Sequence, residues 1–237
     1  SSDVCSSDLA DIYGPSQPIM FVVENEKLYV NERNGKQYMI PVEKHGVKLL
    51  SIGFLTDPAQ AIVWRGPMAS KALQQLFSDA DWGELDYMFI DLPPGTGDVH
   101  LTLVGSVPLT GAVIVSTPQQ VALADTLKGI GMFRMEQINV PIIGMIENMA
   151  YFTPAELPNN KYYLFGQGGC RNLAKELSIP FLGELPLVQS ICEGGDNGRP
   201  DILDESSPAY SPLLTIAGNV AQQIAIINAN KQVAVSN

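Results

Sequence analysis

The run LDYMFIDLPPGTGDVHLT (85–102) holds the residues best suited to chemistry. An apolar, strand-like stretch ends at Asp91, and a turn of prolines and glycines leads into a helix opening near Asp98. A carboxylate at the carboxyl end of a parallel strand sits where open α/β sheets bind ligands. Asp91 can hold Mg²⁺ directly or through water. The N–H groups of Gly95 and Gly97 can approach a terminal phosphate with no side chain in the way. Together these make a nucleotide sensor. The same residues also fit an ordinary strand-to-helix turn, with Thr96 or Asp98 as helix cap and the glycines permitting the bend. Taken alone, the residues do not separate the two readings.

Elements that could position this turn flank it. Four short apolar runs rich in β-branched residues, at 47–55, 85–91, 111–117 and 140–148, read as strands buried on both faces, as parallel strands are. Helical periodicity occupies 66–77, 98–107 and 119–137 between them, and strands alternating with helices build crossover units. Residues 168–177 read as a further helix, 181–186 as a strand, and 211–231 as a closing helix. The segment EKLYVNERNGKQYMIPVE alternates apolar and polar positions around Asn34-Gly35, which predicts an inserted β-hairpin. Segment 150–165 fits neither period and reads as a long loop, a frequent carrier of function. The expected fold is α/β, a doubly wound, mostly parallel sheet in one domain over 10–237. The first nine residues, SSDVCSSDL, read as an extraneous or disordered lead.

Composition narrows the chemistry. The 237 residues are 46% hydrophobic, enough for a continuous core. Fourteen basic against 25 acidic residues give a net charge of -11, a field that repels phosphate backbones and argues against nucleic-acid binding. No apolar stretch approaches the ~20 residues of a membrane span, and three cysteines without CxxC spacing suit a reducing cytoplasm. His45 and His100 lack metal-ligand spacing and read as structural. GIGMFR (129–134) starts like a dinucleotide fingerprint but lies within a helical pattern and lacks the third glycine.

IDLPPGTGD (90–98) resembles the Walker B and switch II segment of the Mrp/ApbC-type iron–sulfur cluster carriers, P-loop ATPases of the MinD-like group. ADIYGPSQP (10–18), WRGPMASKAL (64–73), IENMAYF (146–152), FGQGG (165–169) and LVQSICEGGDNGRP (187–200) match the same family in the same order. The resemblance implies a P-loop NTPase fold of MinD-like type, with ATP and Mg²⁺ as cofactors. It casts Asp91 as the Walker B carboxylate and Asp11 as the switch I aspartate that positions magnesium or the attacking water. Asn148 becomes the adenine contact, since an amide offers both a donor and an acceptor; the alternative is a cap for the following turn. It further implies a cytoplasmic homodimer that passes a [4Fe-4S] cluster to apo iron–sulfur proteins, with neither nucleic acid nor membrane as partner.

Two departures from the family pattern stand out. GxxxxGK[ST], the loop whose N–H groups and lysine hold the phosphates, is absent from the 237 residues. In the family this loop precedes ADIYGPS, so the expectation is a chain truncated at its N-terminus, lacking its first strand and weak in nucleotide binding. The CxxC that many members place between the IENM and FGxGG blocks is also missing. Cys170 and Cys192 are the remaining thiols that a dimer could gather around a cluster, although a lone cysteine more often fills a core. Two functions therefore stay open: a cluster-handling ATPase, or a scaffold of the same fold without ATPase or cluster chemistry. A MinD- or ParA-like positioning ATPase fits less well, because Lys231 is the closing helix's only base.

Overall fold

A computed structural model describes residues 5–7, 16–55, 66–92, 97–154, 156–157 and 159–235. These gather into two compact units, Ser1–Val107 with Gly195–Arg199, and Pro108–Gly194 with Pro200–Asn237.

In the first unit, β1 (Cys5–Ser7) lies between β5 (Val47–Leu49) and β6 (Tyr87–Met88) and is parallel to both, and β4 (Val42–Lys44) pairs antiparallel at the β5 edge. β1 lies within the nine residues read as an extraneous or disordered lead. Ladder pairing uses backbone groups alone, so a segment with no apolar signature can pair when a strand edge is open on each side. Both neighbouring strands are shorter than the apolar runs that predicted them: 47–55 yields three strand residues and then a 3₁₀ turn at Ile52–Phe54. Ahead of the hairpin lies a short helix, α1 (Gln17–Met20).

The hairpin forms where Asn34-Gly35 predicts it. β2 (Tyr29–Arg33) pairs antiparallel with β3 (Lys36–Ile40), and Asn34 and Gly35 take φ of 56° and 75°, the two positive values a type I′ turn requires. Arg33–Asp81 and Lys36–Asp79 ion pairs, both 2.9 Å, tie it to the segment after α2 (Gly66–Ser78). Such exposed pairs contribute little each. The firmer anchor is backbone, Met39 N–H to Asp79 O and Asp81 N–H to Met39 O. Beneath it, Leu50, Ile52, Leu76 and Trp82 form the unit's core with α2. α3 (Asp98–Ser106) joins α2 through a Ser70–Thr102 hydroxyl contact of 2.8 Å.

The second unit is built on three parallel strands, β7 (Ala112–Ser116), β8 (Ile142–Glu147) and β9 (Phe181–Glu184), in that spatial order. β8 sends Met145 into an apolar cluster with Leu123 and Ile130 of α4 (Gln120–Phe133) and Leu173 of α5 (Gly169–Glu176). It sends Ile143 and Ile146 into another with Ile216 and Val220 of α7 (Tyr210–Val235). Helices thus cover both faces, as the doubly wound reading expects. α6 (Gln189–Asp196) and a 3₁₀ turn at Asp201–Leu203 complete the unit. Among the described residues the strands hydrogen-bond as a four-stranded sheet, the hairpin and this three-stranded sheet.

Candidate functional site

In the first unit the path of β6 runs on to Asp91, which is exposed. Gly95 and Asp11 lie outside the described residues. Gly97 is the N-cap of α3, extended (φ -88°, ψ -170°) and exposed, and it supplies no capping side chain. The Gly97 carbonyl accepts the His100 N–H at 3.1 Å, and no side chain caps this helix start; helix starts are places where anions are received. His100, in the same helix, is buried at 5% exposure. His45 holds φ at 52°, with Nε2 2.9 Å from Gly198 O.

The second unit gathers its polar groups at the carboxyl ends of β7 and β8. Asn148 follows β8 directly and is half-buried; its N–H donates to Ser116 O at 2.8 Å, while its side-chain Oδ1 accepts from the Met149 N–H at 2.9 Å. The capping alternative is therefore present in part, yet the Nδ2 donors and a second lone pair on Oδ1 are left for other use. Opposite stands the start of α5. Gly168 takes φ 67° at the N-cap, a left-handed conformation natural to glycine, and a Cβ at Gly169 would stand 2.3 Å from Pro118 O. The FGQGG block thus ends in two glycines because the loop after β7 packs directly on the backbone there.

Glu147, the last residue of β8, escapes sequence reasoning because it lies in an apolar run. Its side chain is 1% exposed. Oε1 accepts from Gly168 N–H at 3.2 Å and Oε2 from Cys170 N–H at 2.8 Å. The available signal was the charge itself, a carboxylate inside an otherwise apolar strand, which must find donors.

Cys170 is fully buried in the apolar cluster of α4 and α5. Its Sγ–H donates to Ser116 O at 3.4 Å and Thr117 O at 3.6 Å. Burial, and then the neighbouring Glu147 charge, push the thiol up from its ordinary 9.0 to about 11. A cluster ligand must be a thiolate within reach of iron; Cys170 is a protonated core thiol, which argues against the ligand role considered for it. Cys192 lies exposed on α6. Among the described residues no three His, Cys, Asp or Glu side chains gather as a metal site. The thiol makes stability depend on pH. Because its folded value is raised, the unfolded chain ionises first, so stability is intact below pH 9 and is lost as pH climbs from 9 towards 11, by up to about 2–3 kcal/mol. Urea titrations at pH 8 and pH 11 on wild type and Cys170→Ala check this. The alkaline loss should be smaller in the variant, and an equal loss in both refutes it.

Among its described residues the loop at 150–165 stays irregular apart from bridges linking Phe152 to Tyr162 and to Leu187, and Leu164 to Gly166. Lys161 Nζ sits 3.6 Å from the Tyr151 ring centroid and 4.0 Å from Glu184, pinning the loop to the end of β9.

A family model described as ParA, NUBPL iron-transfer P-loop NTPase, matches residues 3–225. The "Iron-sulfur cluster carrier protein" of Synechocystis is 45% identical over 216 residues, which cover 91% of this chain and 60% of that protein. The chain thus spans about three-fifths of that relative's length. Among solved structures, an Archaeoglobus fulgidus nucleotide-binding protein in complex with ADP superposes with a TM-score of 0.71 at 36% identity, over 88% of this chain and 78% of that one. The MinD cell division protein of Aquifex aeolicus gives 0.59 at 16% identity, over 93% and 84%, a likeness of fold alone.

Proposed function

The chain belongs to the NUBPL iron-transfer P-loop NTPase family, and from that premise we propose that it binds an adenine nucleotide with Mg²⁺ and serves in handling iron–sulfur clusters. The observation that carries this reading is the match across residues 3–225, together with 36% identity to a protein solved with ADP. Within the first unit Asp91 offers an exposed carboxylate beyond a parallel strand and α3 starts without a side-chain cap; within the second, Asn148 offers an amide at the end of β8, so each residue suits the role the family resemblance gives it.

Asp91 and Asp11 would hold the Mg²⁺, which supplies positive charge against the phosphates. Asn148 would donate to a ring nitrogen of the base and accept from its exocyclic amine. In P-loop NTPases the phosphate-binding loop adds the charge stabilisation needed for hydrolysis. The 237 residues here contain no GxxxxGK[ST], so this chain should bind nucleotide weakly and turn it over little. The cluster is cargo, passed from a cytoplasmic homodimer to apo iron–sulfur proteins, through thiols other than Cys170. No described helix is long and apolar enough to cross a membrane.

The test is direct: titrate the purified chain with MgADP and MgGDP, then reconstitute it anaerobically with iron and sulfide. Saturable ADP binding that exceeds GDP binding, with iron and sulfide retained after desalting, supports the reading. The scaffold alternative draws on the missing lysine loop, the missing CxxC and the protonated Cys170. Loss of both nucleotide and iron would make it the better account.

A further inference from the structure

Glu147 is the least exposed charged group among the described residues, and it sits where three elements meet. Its backbone carbonyl accepts from Leu185 N–H at 2.8 Å, just beyond β9. Its carboxylate accepts two N–H groups from the start of α5, Gly168 and Cys170. The next residue in the chain is Asn148, whose own N–H is held by Ser116 O, the same carbonyl that receives the Cys170 thiol. A buried carboxylate costs several kcal/mol unless donors compensate it, and a helix N-terminus is a favourable place to find them. The fold spends this burial on one relation: the distance between the end of β8 and the α5 start that packs against Pro118 through Gly169.

We infer that Glu147 is a positioning residue for base recognition: by clamping the α5 N-terminus to the end of β8 it holds in place Asn148, whose backbone N–H is bonded to Ser116 O, and so sets the preference for an adenine over a guanine base. The inference rests on the proposed role of Asn148 as base contact. Glu147 touches no nucleotide; it acts by holding the residue beside it. Glu147→Gln keeps the volume but leaves a single acceptor oxygen, so the new NH₂ opposes one of the two N–H donors and the clamp opens on that side. Gly169→Ala attacks the same spacing from the other face, because the added Cβ meets Pro118 O.

The experiment measures ADP and GDP dissociation constants by equilibrium dialysis for wild type, Glu147→Gln and Gly169→Ala, with a melting curve for each. Wild type should favour ADP, and both variants should lose about tenfold of that ADP-over-GDP ratio, the equivalent of about one lost hydrogen bond. If both nucleotides weaken by the same factor, the ratio stands and Glu147 is merely structural, which overturns the inference. Gly169→Ala supplies the answer if Glu147→Gln fails to fold. A wild type that binds ADP and GDP alike overturns the base-site reading and the role of Glu147 with it. Wild-type discrimination that survives in the variants overturns the role alone.

Discussion

Asp201→Ala is expected to lower the unfolding free energy by about 2–4 kcal/mol, a 30- to 1000-fold shift in the folding equilibrium. Asp201 is 8% exposed, and one carboxylate oxygen, Oδ2, accepts from Ser190 Oγ at 2.6 Å and Ser207 Oγ at 2.5 Å. Ser190 belongs to α6, and Ser207 Oγ also accepts the Ala209 N–H ahead of α7 at 3.0 Å. A single side chain therefore fastens α6 to the segment that launches the unit's longest helix. Removing it leaves two hydroxyl donors in a part-buried site without their charged acceptor. Asp201→Asn keeps one acceptor and should recover about half of the loss. Urea unfolding followed by circular dichroism measures both. A shift under 1 kcal/mol for the alanine variant would mean that water replaces the carboxylate and the fastening is unimportant.

The second large effect concerns magnesium. Wild-type affinity for ADP should rise when Mg²⁺ is added, and Asp91→Asn should remove about a tenfold part of that gain while leaving metal-free binding unchanged. Asparagine conserves shape and exposure but not charge, so the comparison isolates the carboxylate. Calorimetric titrations with Mg²⁺ and with EDTA give the four constants required. Equal magnesium gains in wild type and variant would return Asp91 to an ordinary strand-end residue.

Legibility in the sequence followed the kind of force involved. Asn34-Gly35 announced its hairpin because the turn is decided locally, by two residues that tolerate positive φ. The neighbouring turn at His45-Gly46 uses the same conformation, φ 52° and 75°, but histidine seldom signals it, and the short edge strand β4 went unseen. α6 was also missed: SICEGGD carries Gly194 and Gly195 inside the helix, each costing about 1 kcal/mol in propensity. Tertiary anchors such as the Ser190–Asp201 bond outweigh that cost. β1 lay hidden for the opposite reason, since its pairing needs only backbone and its composition advertises nothing.

At the candidate site, Asp91 and Asn148 stand just past strands and Gly97 at the start of α3, the local positions their sequence blocks predict, and their part in binding is the proposal above; Asp11 and Gly95 lie outside the described residues. Glu147 was not legible, because its partners are backbone N–H groups 21 and 23 residues away, and no side-chain pattern records them. Cys170 was read with two meanings, and its burial and raised pKa favour the core-filling one.

That burial also gives the second unit a clock. A thiol with zero exposure, protonated at neutral pH and enclosed by α4 and α5, cannot meet a reagent until those helices part. When reclosing outpaces labelling, the rate at which a maleimide consumes Cys170 reports the population of the open form. When the reagent is concentrated enough to trap every opening, the rate becomes the frequency of opening itself. One native sulfur, followed at two reagent concentrations, would yield both how often this unit breathes and how far that breathing costs it.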